Sequence, residues 1–425
     1  MSLVRNLLKG QLAKSAAIYT IAKVIKSCIP FFMLPVMTSY LTPADYGTIT
    51  MLTTVFAFLT PFVTLNMESA LIRRYYYKND NTAQYIGNTF MLSAASMVLV
   101  TIIFFFFGGK LSTLLAIPAF FIVISPLYCH LTLYSNSILS FWQVTKKPIK
   151  YGVYTVLQTL IEISIAILLI VGLGFNWQGR AISIMSTCAL FAGISLRILL
   201  SKKMINLTVN KEMISHALKY GGGLIPHAIG ATLIMMANRF FLTNMVSIEE
   251  TGYYGVAYQF ASIMMFITGS FNNAFVPWLF EKLSLNDNRE KRIIVKFSYL
   301  YMFLLLIVGL LVFLFVWLIF PFFVNTQFNG ALKYIPWLLL GAVFQGCYYM
   351  VTNYILYTEK TVVLALITIS TGIVSVILNY LLIPLLGGIG AAVAYAVTFF
   401  IYFIATWIAA SKVYKMPWDL KITEI

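Results

Sequence analysis

The sequence predicts an all-α polytopic membrane protein with about twelve transmembrane helices in two six-helix lobes, related as a parallel repeat. Composition, the spacing of the apolar runs and an internal repetition of short motifs predict this fold class. Of the 425 residues, 60% are hydrophobic and only 10% are charged, whereas a soluble domain carries about 25% charged residues. The mean hydropathy is +0.88, and the connectors between apolar runs are too short to form a separate soluble domain.

Each transmembrane helix needs about 20 mostly apolar residues. The predicted spans lie near residues 16–37, 46–66, 86–107, 112–134, 151–172, 180–200, 222–244, 252–277, 294–320, 334–357, 362–385 and 389–411. These spans leave almost no sequence outside the membrane beyond the termini and short loops.

Basic residues predict the orientation of the chain. Most of the 29 Lys and Arg residues fall in the two termini and the even-numbered connectors. The opposite side holds only Lys110, Arg180 and Lys333. This bias places both termini in the cytoplasm by the positive-inside rule. The net charge of +16 is scattered between apolar runs, so it does not indicate a nucleic-acid partner.

Short motifs repeat between the two halves. Tyr46-Gly47 returns as Tyr254-Gly255, and Ile117-Pro118 returns as Ile335-Pro336. With six spans in each half, both halves begin on the same side, which defines a parallel repeat. The predicted domains are an N-terminal lobe (1–200), a cytoplasmic connector (201–221), a C-terminal lobe (222–411) and a cytoplasmic tail (412–425). Transporters built this way commonly bind substrate near the midplane between their halves.

Two lysines interrupt the first predicted span. Lys23 and Lys26 are three residues apart and therefore share one helix face. A lysine at the bilayer centre costs about 2.5–3.5 kcal/mol on insertion scales, so such residues usually face a protein interior or a watery cavity. The pair predicts a site for an anion. The alternative, strongest for Lys23, is that the side chain extends to the headgroups.

A carboxylate lies in the middle of the fifth predicted span. Glu162 continues a polar helix face formed by Tyr151, Thr155 and Gln158. A buried carboxylate either pairs with a cation or binds a proton. Two interpretations therefore stay open: a salt bridge to Lys23 or Lys26 that orders the lobe, and an ion-coupling site for a proton or Na⁺.

Other polar residues are weaker candidates. Arg239, near the outer end of the seventh span, is either an interfacial anchor or a contact to a phosphate, which its guanidinium can bind through two hydrogen bonds. Arg73 and Arg74 precede three tyrosines (75–77) in a segment at the cytoplasmic surface. They are either an entrance that captures a headgroup or ordinary positive-inside charge beside an aromatic belt. His227 follows Pro226 and is a candidate gate residue or a packing histidine.

Several classes of function lack support in the sequence. There is no GxxxxGK[ST] motif for nucleotide hydrolysis. Three separated His and four separated Cys form no metal-ligand cluster. No external loop is long enough for a glycosyl-transfer site. We therefore expect no enzyme, no metal and no cofactor.

Several motifs resemble a known family. In the second half these are YGGGLIPHA (220–228), NRFFL (238–242), GYYGVAY (252–258) and NNAFVP (272–277). In the first half they are LTPADYG (41–47) and ESALIR (68–73). Together they resemble O-antigen flippases of the Wzx type, in the polysaccharide transporter branch of the multidrug/oligosaccharidyl-lipid/polysaccharide exporter superfamily. The resemblance covers nearly the whole chain.

That resemblance implies a transporter of the bacterial inner membrane for lipopolysaccharide biosynthesis. Its cargo would be an undecaprenyl-diphosphate-linked oligosaccharide, moved from the cytoplasmic to the periplasmic leaflet. Other membrane proteins of glycan assembly would be candidate partners. Alternating access around a cationic cavity, driven by membrane potential and by ion antiport, fits this cargo. The alternatives are a cation-coupled small-molecule or drug antiporter of the same superfamily and, with less support, a membrane-embedded glycosyltransferase.

Overall fold

The computed structural model describes residues 31–71 apart from residue 69, residues 81–419, and before them residues 18, 21, 22, 24–26 and 29. Within these ranges the chain is helical and contains no strand, which confirms the all-α prediction. The main helices are α1 (Leu34–Tyr40), α2 (Pro43–Thr64), α3 (Thr82–Leu115), α4 (Ala119–Val144), α5 (Pro148–Ile167), α6 (Trp177–Ser201), α7 (Lys211–Met245), α8 (Ile248–Ser284), α9 (Asn288–Phe323), α10 (Ile335–Tyr357), α11 (Thr361–Leu386) and α12 (Ile389–Val413). A π-helical segment, Leu168–Gly172, extends α5, and a 3₁₀ helix, Thr326–Ala331, precedes α10.

Ten helices in the described part of the chain are long and apolar enough to cross a membrane: α2, α3 and α5 to α12. The protein is therefore a multi-pass membrane protein. Several helices exceed the membrane thickness. At 1.5 Å per residue the 37 residues of α8 extend about 55 Å, against a hydrocarbon core of about 30 Å. The ends of such helices reach into the aqueous phase.

Two of the twelve predicted spans fall outside that set. The first span is described only in part, because eight of its 22 residues lie outside the described residues. The fourth span, predicted at 112–134, is α4, which begins seven residues later because α3 continues to Leu115. The chain then turns at Ala116, which has φ 51°, and Pro118 caps α4. The side chains of Ser125, His130 and Ser137 on α4 are buried.

The chain divides into two compact units, Met1–Ala228 and Ile229–Ile425. The boundary lies inside α7 and not in the predicted connector 201–221. Residues 211–221 of that connector are helical and belong to α7. The remaining segment is held along the start of α3, where Asn88 donates to the Thr208 carbonyl and accepts from the Asn210 backbone N–H, both at 3.0 Å. The connector is therefore fixed to the first unit.

Each unit repeats the same helix neighbours. In the first unit α4 packs against α2, α3 and α6, and α5 packs against α6. In the second unit α10 packs against α8, α9 and α12, and α11 packs against α12. The second helix of each set also begins with a similar cap, in which a hydroxyl accepts the N–H of an acidic residue three positions on: Thr42 with Asp45, and Ser247 with Glu250.

Candidate functional site

Lys26 lies at membrane depth in the first unit. The described part of the first predicted span packs along α5: Gly152 of α5 faces Ile18 and Ala22, and Met33 shares an apolar cluster with Ile163 of α5. Lys26 lies between these two contacts along the chain, which puts it level with the middle of α5. The Lys26 side chain is exposed.

Three of the candidate cations, Lys23, Arg73 and Arg74, are not among the residues that the structure describes. The shared helix face of Lys23 and Lys26, and the basic entrance at Arg73 and Arg74, therefore stay predictions from the sequence.

Glu162 forms an ion pair with Arg180, and not with Lys26, in the described part of the chain. Its Oε1 lies 2.7 Å from a terminal guanidinium nitrogen of Arg180, near the start of α6. The side chains are 25% and 17% exposed, respectively. Tyr128 of α4 lies beside the pair and stacks on Phe56. The pair thus joins α5 to α6.

Arg239 is buried in the second unit, with 6% of its surface exposed. Its guanidinium lies over the ring of Tyr258, 4.6 Å from the centroid, and Tyr254 and Tyr395 are close by. A desolvated cation–π contact of this kind is worth about 2 kcal/mol. This burial does not fit an anchor at the membrane–water interface. It places a fixed positive charge inside the helix bundle of the second unit.

The residue before Arg239 explains how that charge is positioned. Asn238 is fully buried, and its amide donates to the carbonyl of Ala391 in α12. A carboxylate at this position could not donate that hydrogen bond. Asn238 therefore fastens α7 to α12 while the next side chain points toward Tyr258.

Other polar side chains of the second unit mostly bind one another. Asn353 donates to Asn272 at 2.9 Å, and Tyr402 donates to Tyr348 at 3.0 Å. These contacts join α8 to α10 and α12 to α10, which is a packing role. His227 of α7 is partly buried, and its Nδ1 has no hydrogen-bond partner among the described residues. Nothing in its described surroundings assigns it a gating role.

Glu68 is a partly buried carboxyl group that the sequence analysis did not select as a site residue. It follows α2, and the side chains of Asn136 and Ser140 on α4 donate hydrogen bonds to it. Its sequence signal was a single acidic residue two positions beyond the predicted span 46–66. That pattern is typical of an exposed loop residue, and only the packing against α4 shows otherwise.

One groove of the first unit has a volume of about 590 Å³ and is lined mainly by apolar side chains, among them Phe120, Phe121, Phe175 and Ile182. Its polar lining comes from Asn176 and Gln178. No charged side chain lines it, so this groove does not supply an anion site.

Comparisons with known proteins agree with the helical architecture. A family model described as "Polysaccharide biosynthesis protein" matches residues 36–305. An uncharacterized membrane protein of Haemophilus influenzae is 24% identical over 358 residues, which cover 82% of this chain and 85% of that protein.

Among solved structures, the lipid II flippase MurJ in an inward closed conformation is similar, with a TM-score of 0.73 and 15% identity. The similarity covers 92% of this chain and 87% of MurJ. An outward-facing multidrug resistance transporter of the MATE family, in the MOP superfamily, has a TM-score of 0.63 and 16% identity, with 96% of each chain covered. At these identities the likeness concerns the fold.

Proposed function

This chain belongs to the polysaccharide biosynthesis protein family, and from that premise we propose that it moves a polyprenyl-diphosphate-linked oligosaccharide across the bacterial inner membrane. The cargo would pass from the cytoplasmic to the periplasmic leaflet by alternating access. An O-antigen repeat unit or a similar surface glycan is the expected oligosaccharide. The observation that carries the proposal is Lys26, an exposed cation level with the middle of α5.

The chemistry of the cargo matches this charge. A diphosphate carries negative charge into the bilayer, where it needs cations at depth, while its polyprenyl tail stays in lipid. Lys26, together with Lys23, would hold the diphosphate in the first unit. Arg239, in the second unit, would guide the exit of the headgroup. Its planar guanidinium suits phosphate oxygens better than an ammonium does.

Membrane potential can drive this cycle without nucleotide hydrolysis. One elementary charge that crosses 100 mV gains about 2.3 kcal/mol. An anionic headgroup that leaves an inside-negative cell is pushed outward. The empty, positively charged site is then pulled inward by the same potential. Ion antiport at Glu162 is a second source of energy, and it requires the pair with Arg180 to open during the cycle.

A cation-coupled drug antiporter is the second candidate function. It would need carboxylates at membrane depth to bind cationic substrates. Within the spanning helices of the described chain, Glu162 is such a carboxylate, and Arg180 already neutralises it. Lys26 and Arg239 disfavour cationic cargo electrostatically. An anionic, lipid-linked cargo is therefore the better match.

The test is the leaflet that holds the lipid-linked oligosaccharide in cells that lack this protein. We expect accumulation on the cytoplasmic side, relieved by the wild-type protein and by Lys26→Arg but not by Lys26→Ala. Lys110→Ala, which removes an exposed lysine of α3, is the matched control and should restore export. Normal export in the absence of the protein would reject the flippase proposal, and full activity of Lys26→Ala would reject the anion site.

A further inference from the structure

The segment after α2 carries a carboxyl group into the core of the first unit. α2 ends at Thr64, and the chain breaks there because Leu65 and Asn66 adopt left-handed conformations with φ near 50°. The next residues are helical again, and Met67 and Leu71 are fully buried. Glu68 lies between these two apolar anchors and is itself partly buried.

The hydrogen-bond partners of Glu68 fit both of its protonation states. Asn136 and Ser140 of α4 donate to the carboxylate. An amide and a hydroxyl can each donate or accept. When the carboxyl group is protonated, its O–H can donate to the Asn136 amide oxygen or to the Ser140 hydroxyl. Both the carboxylate and the protonated acid therefore find hydrogen-bond partners. These partners can accommodate either protonation state of Glu68.

The surroundings of Glu68 are uncharged in the described part of the chain. The titratable side chains of the core around Met67 and Leu71 are tyrosines of α3, α4, α5 and α7, together with His216 of α7 and His130 of α4. No cation in the described residues contributes to the environment of the carboxyl group. Burial raises the pKa of Glu68, and its two hydrogen bonds offset only part of that rise.

The second unit has a corresponding contact between two helices, but that contact contains no titratable group. The motif Asn136-Ser-Ile-Leu of α4 recurs as Asn353-Tyr-Ile-Leu in α10. Asn353 is therefore the counterpart of Asn136, and its side chain donates to Asn272. Asn272 lies 25 residues after the cap residue Ser247, and Glu68 lies 26 residues after Thr42. The break at 65–66 accounts for the shift of one residue, because α8 continues through this point unbroken. In the second unit, a hydrogen bond between two asparagine side chains is enough to join the helices. The carboxyl group of Glu68 in the first unit is therefore not needed for packing.

We propose that Glu68 is a proton-binding site whose occupancy is coupled to transport. A carboxylate oxygen takes a proton from water, forms an O–H bond and later returns the proton to water, with no redox change. Loss of the proton leaves a charge in an apolar core, which weakens the docking of the 67–71 segment on α4. The coupling part of this inference rests on the proposed transport function, whereas proton binding does not.

Infrared difference spectroscopy of the purified protein in liposomes tests the site directly. We expect a carboxylic-acid C=O band that titrates with pH, shifts in D₂O and disappears in Glu68→Gln. Glu162→Gln is the matched control and should keep the band, since it leaves Glu68 and its two hydrogen-bond partners in place. Glu68→Asp should shift the band. A band that persists in Glu68→Gln, or the lack of any carboxylic-acid band that titrates with pH in the wild-type protein, would overturn the site.

A transport measurement tests the coupling separately. Wild-type export of the lipid-linked oligosaccharide should depend on pH, and Glu68→Gln should lose that dependence while Glu68→Asp retains it. Unchanged pH dependence in a folded Glu68→Gln protein would remove the coupling. If the wild-type protein moves no lipid-linked cargo, the proposed function fails, and the infrared titration still decides whether Glu68 binds a proton.

Discussion

Two carboxyl groups of the first unit occupy opposite kinds of surroundings. Glu162 meets a guanidinium at 2.7 Å in the membrane-spanning part of the unit. Glu68 meets an amide and a hydroxyl beyond the end of α2. A cation partner stabilises the charged carboxylate, whereas burial with neutral partners favours the protonated acid. The sequence pointed to Glu162 for ion coupling, and the contacts favour Glu68 as the proton carrier.

A double-mutant cycle on Glu162 and Arg180 separates structure from coupling. Residues in direct contact show interaction energies of about 0.5–3 kcal/mol. We expect Glu162→Gln and Arg180→Gln each to lower stability and activity, and the double variant to recover part of both. Thermal unfolding and export provide the two measurements.

The control for this cycle is the Lys282–Glu290 pair, 3.0 Å apart, which joins the end of α8 to the start of α9. Glu290→Gln should leave export unchanged. If Glu162→Gln exports cargo normally but without the wild-type pH dependence, Glu162 is an ion-coupling residue. Additive losses in the double variant would show that the ion pair contributes nothing.

The pH dependence of stability is a further residue-scale consequence of Glu68. Its pKa is higher in the folded protein than in the unfolded chain. The stabilisation from this group is therefore complete below the unfolded value, about 4.3, and is lost as pH rises through the folded value.

Thermal unfolding across pH should show this loss in the wild-type protein and a flatter profile in Glu68→Gln. Between acid and neutral pH, the wild-type protein should lose more thermal stability than Glu68→Gln does. Parallel profiles for the two proteins would contradict the raised pKa.

At the scale of elements, α7 packs closely against the chain break after α2 at a single glycine. Gly221 touches the carbonyl oxygen of Leu65, at the break after α2, so closely that a Cβ atom there would overlap it. Gly222 and Gly223 face open space. The run of three glycines thus combines one position that packing requires with two that it does not.

We expect Gly221→Ala to destabilise the protein by about 1–3 kcal/mol, the usual cost of overpacking. Gly222→Ala is the matched control on the same helix and should be neutral or stabilising, because alanine is favoured over glycine inside a helix by about 1 kcal/mol. Thermal unfolding of the two variants measures the difference. Equal effects would show that the break at Leu65 yields to the added methyl group.

At the scale of the whole molecule, the predicted orientation has a direct test. Positive-inside charge places the α8–α9 connection in the cytoplasm and the 3₁₀ segment before α10 on the outside. Both regions present exposed residues, Asn288 and Asn329. In intact cells a membrane-impermeant thiol reagent should label Asn329→Cys and spare Asn288→Cys.

The native cysteines in the described residues, Cys129, Cys188 and Cys347, are buried and should contribute little background. Cys28 lies outside the described residues, so its serine variant serves as the parent protein. Labelling of Asn288→Cys from outside would reverse the topology.

The sequence by itself determined the class of this protein. Apolar length, low charge and repeated motifs are local and additive properties, so they can be read from the chain without knowing what packs against what. They predicted the multi-pass all-α fold, and most helix bounds followed within a few residues. α4 begins later than predicted because α3 continues to Leu115 and a short turn at Ala116 and Pro118 sets the start of α4.

Only the tertiary structure decided the partners of the polar groups. Glu162 and Arg180 are 18 residues apart, and Glu68 and Asn136 are 68 residues apart. No periodicity links such residues, because their contacts arise when separate helices pack. The same holds for Arg239, whose place beside Tyr258 depends on the packing of α7 against α8. The charge of a side chain follows from its identity, but its protonation and its role depend on neighbours that folding brings to it.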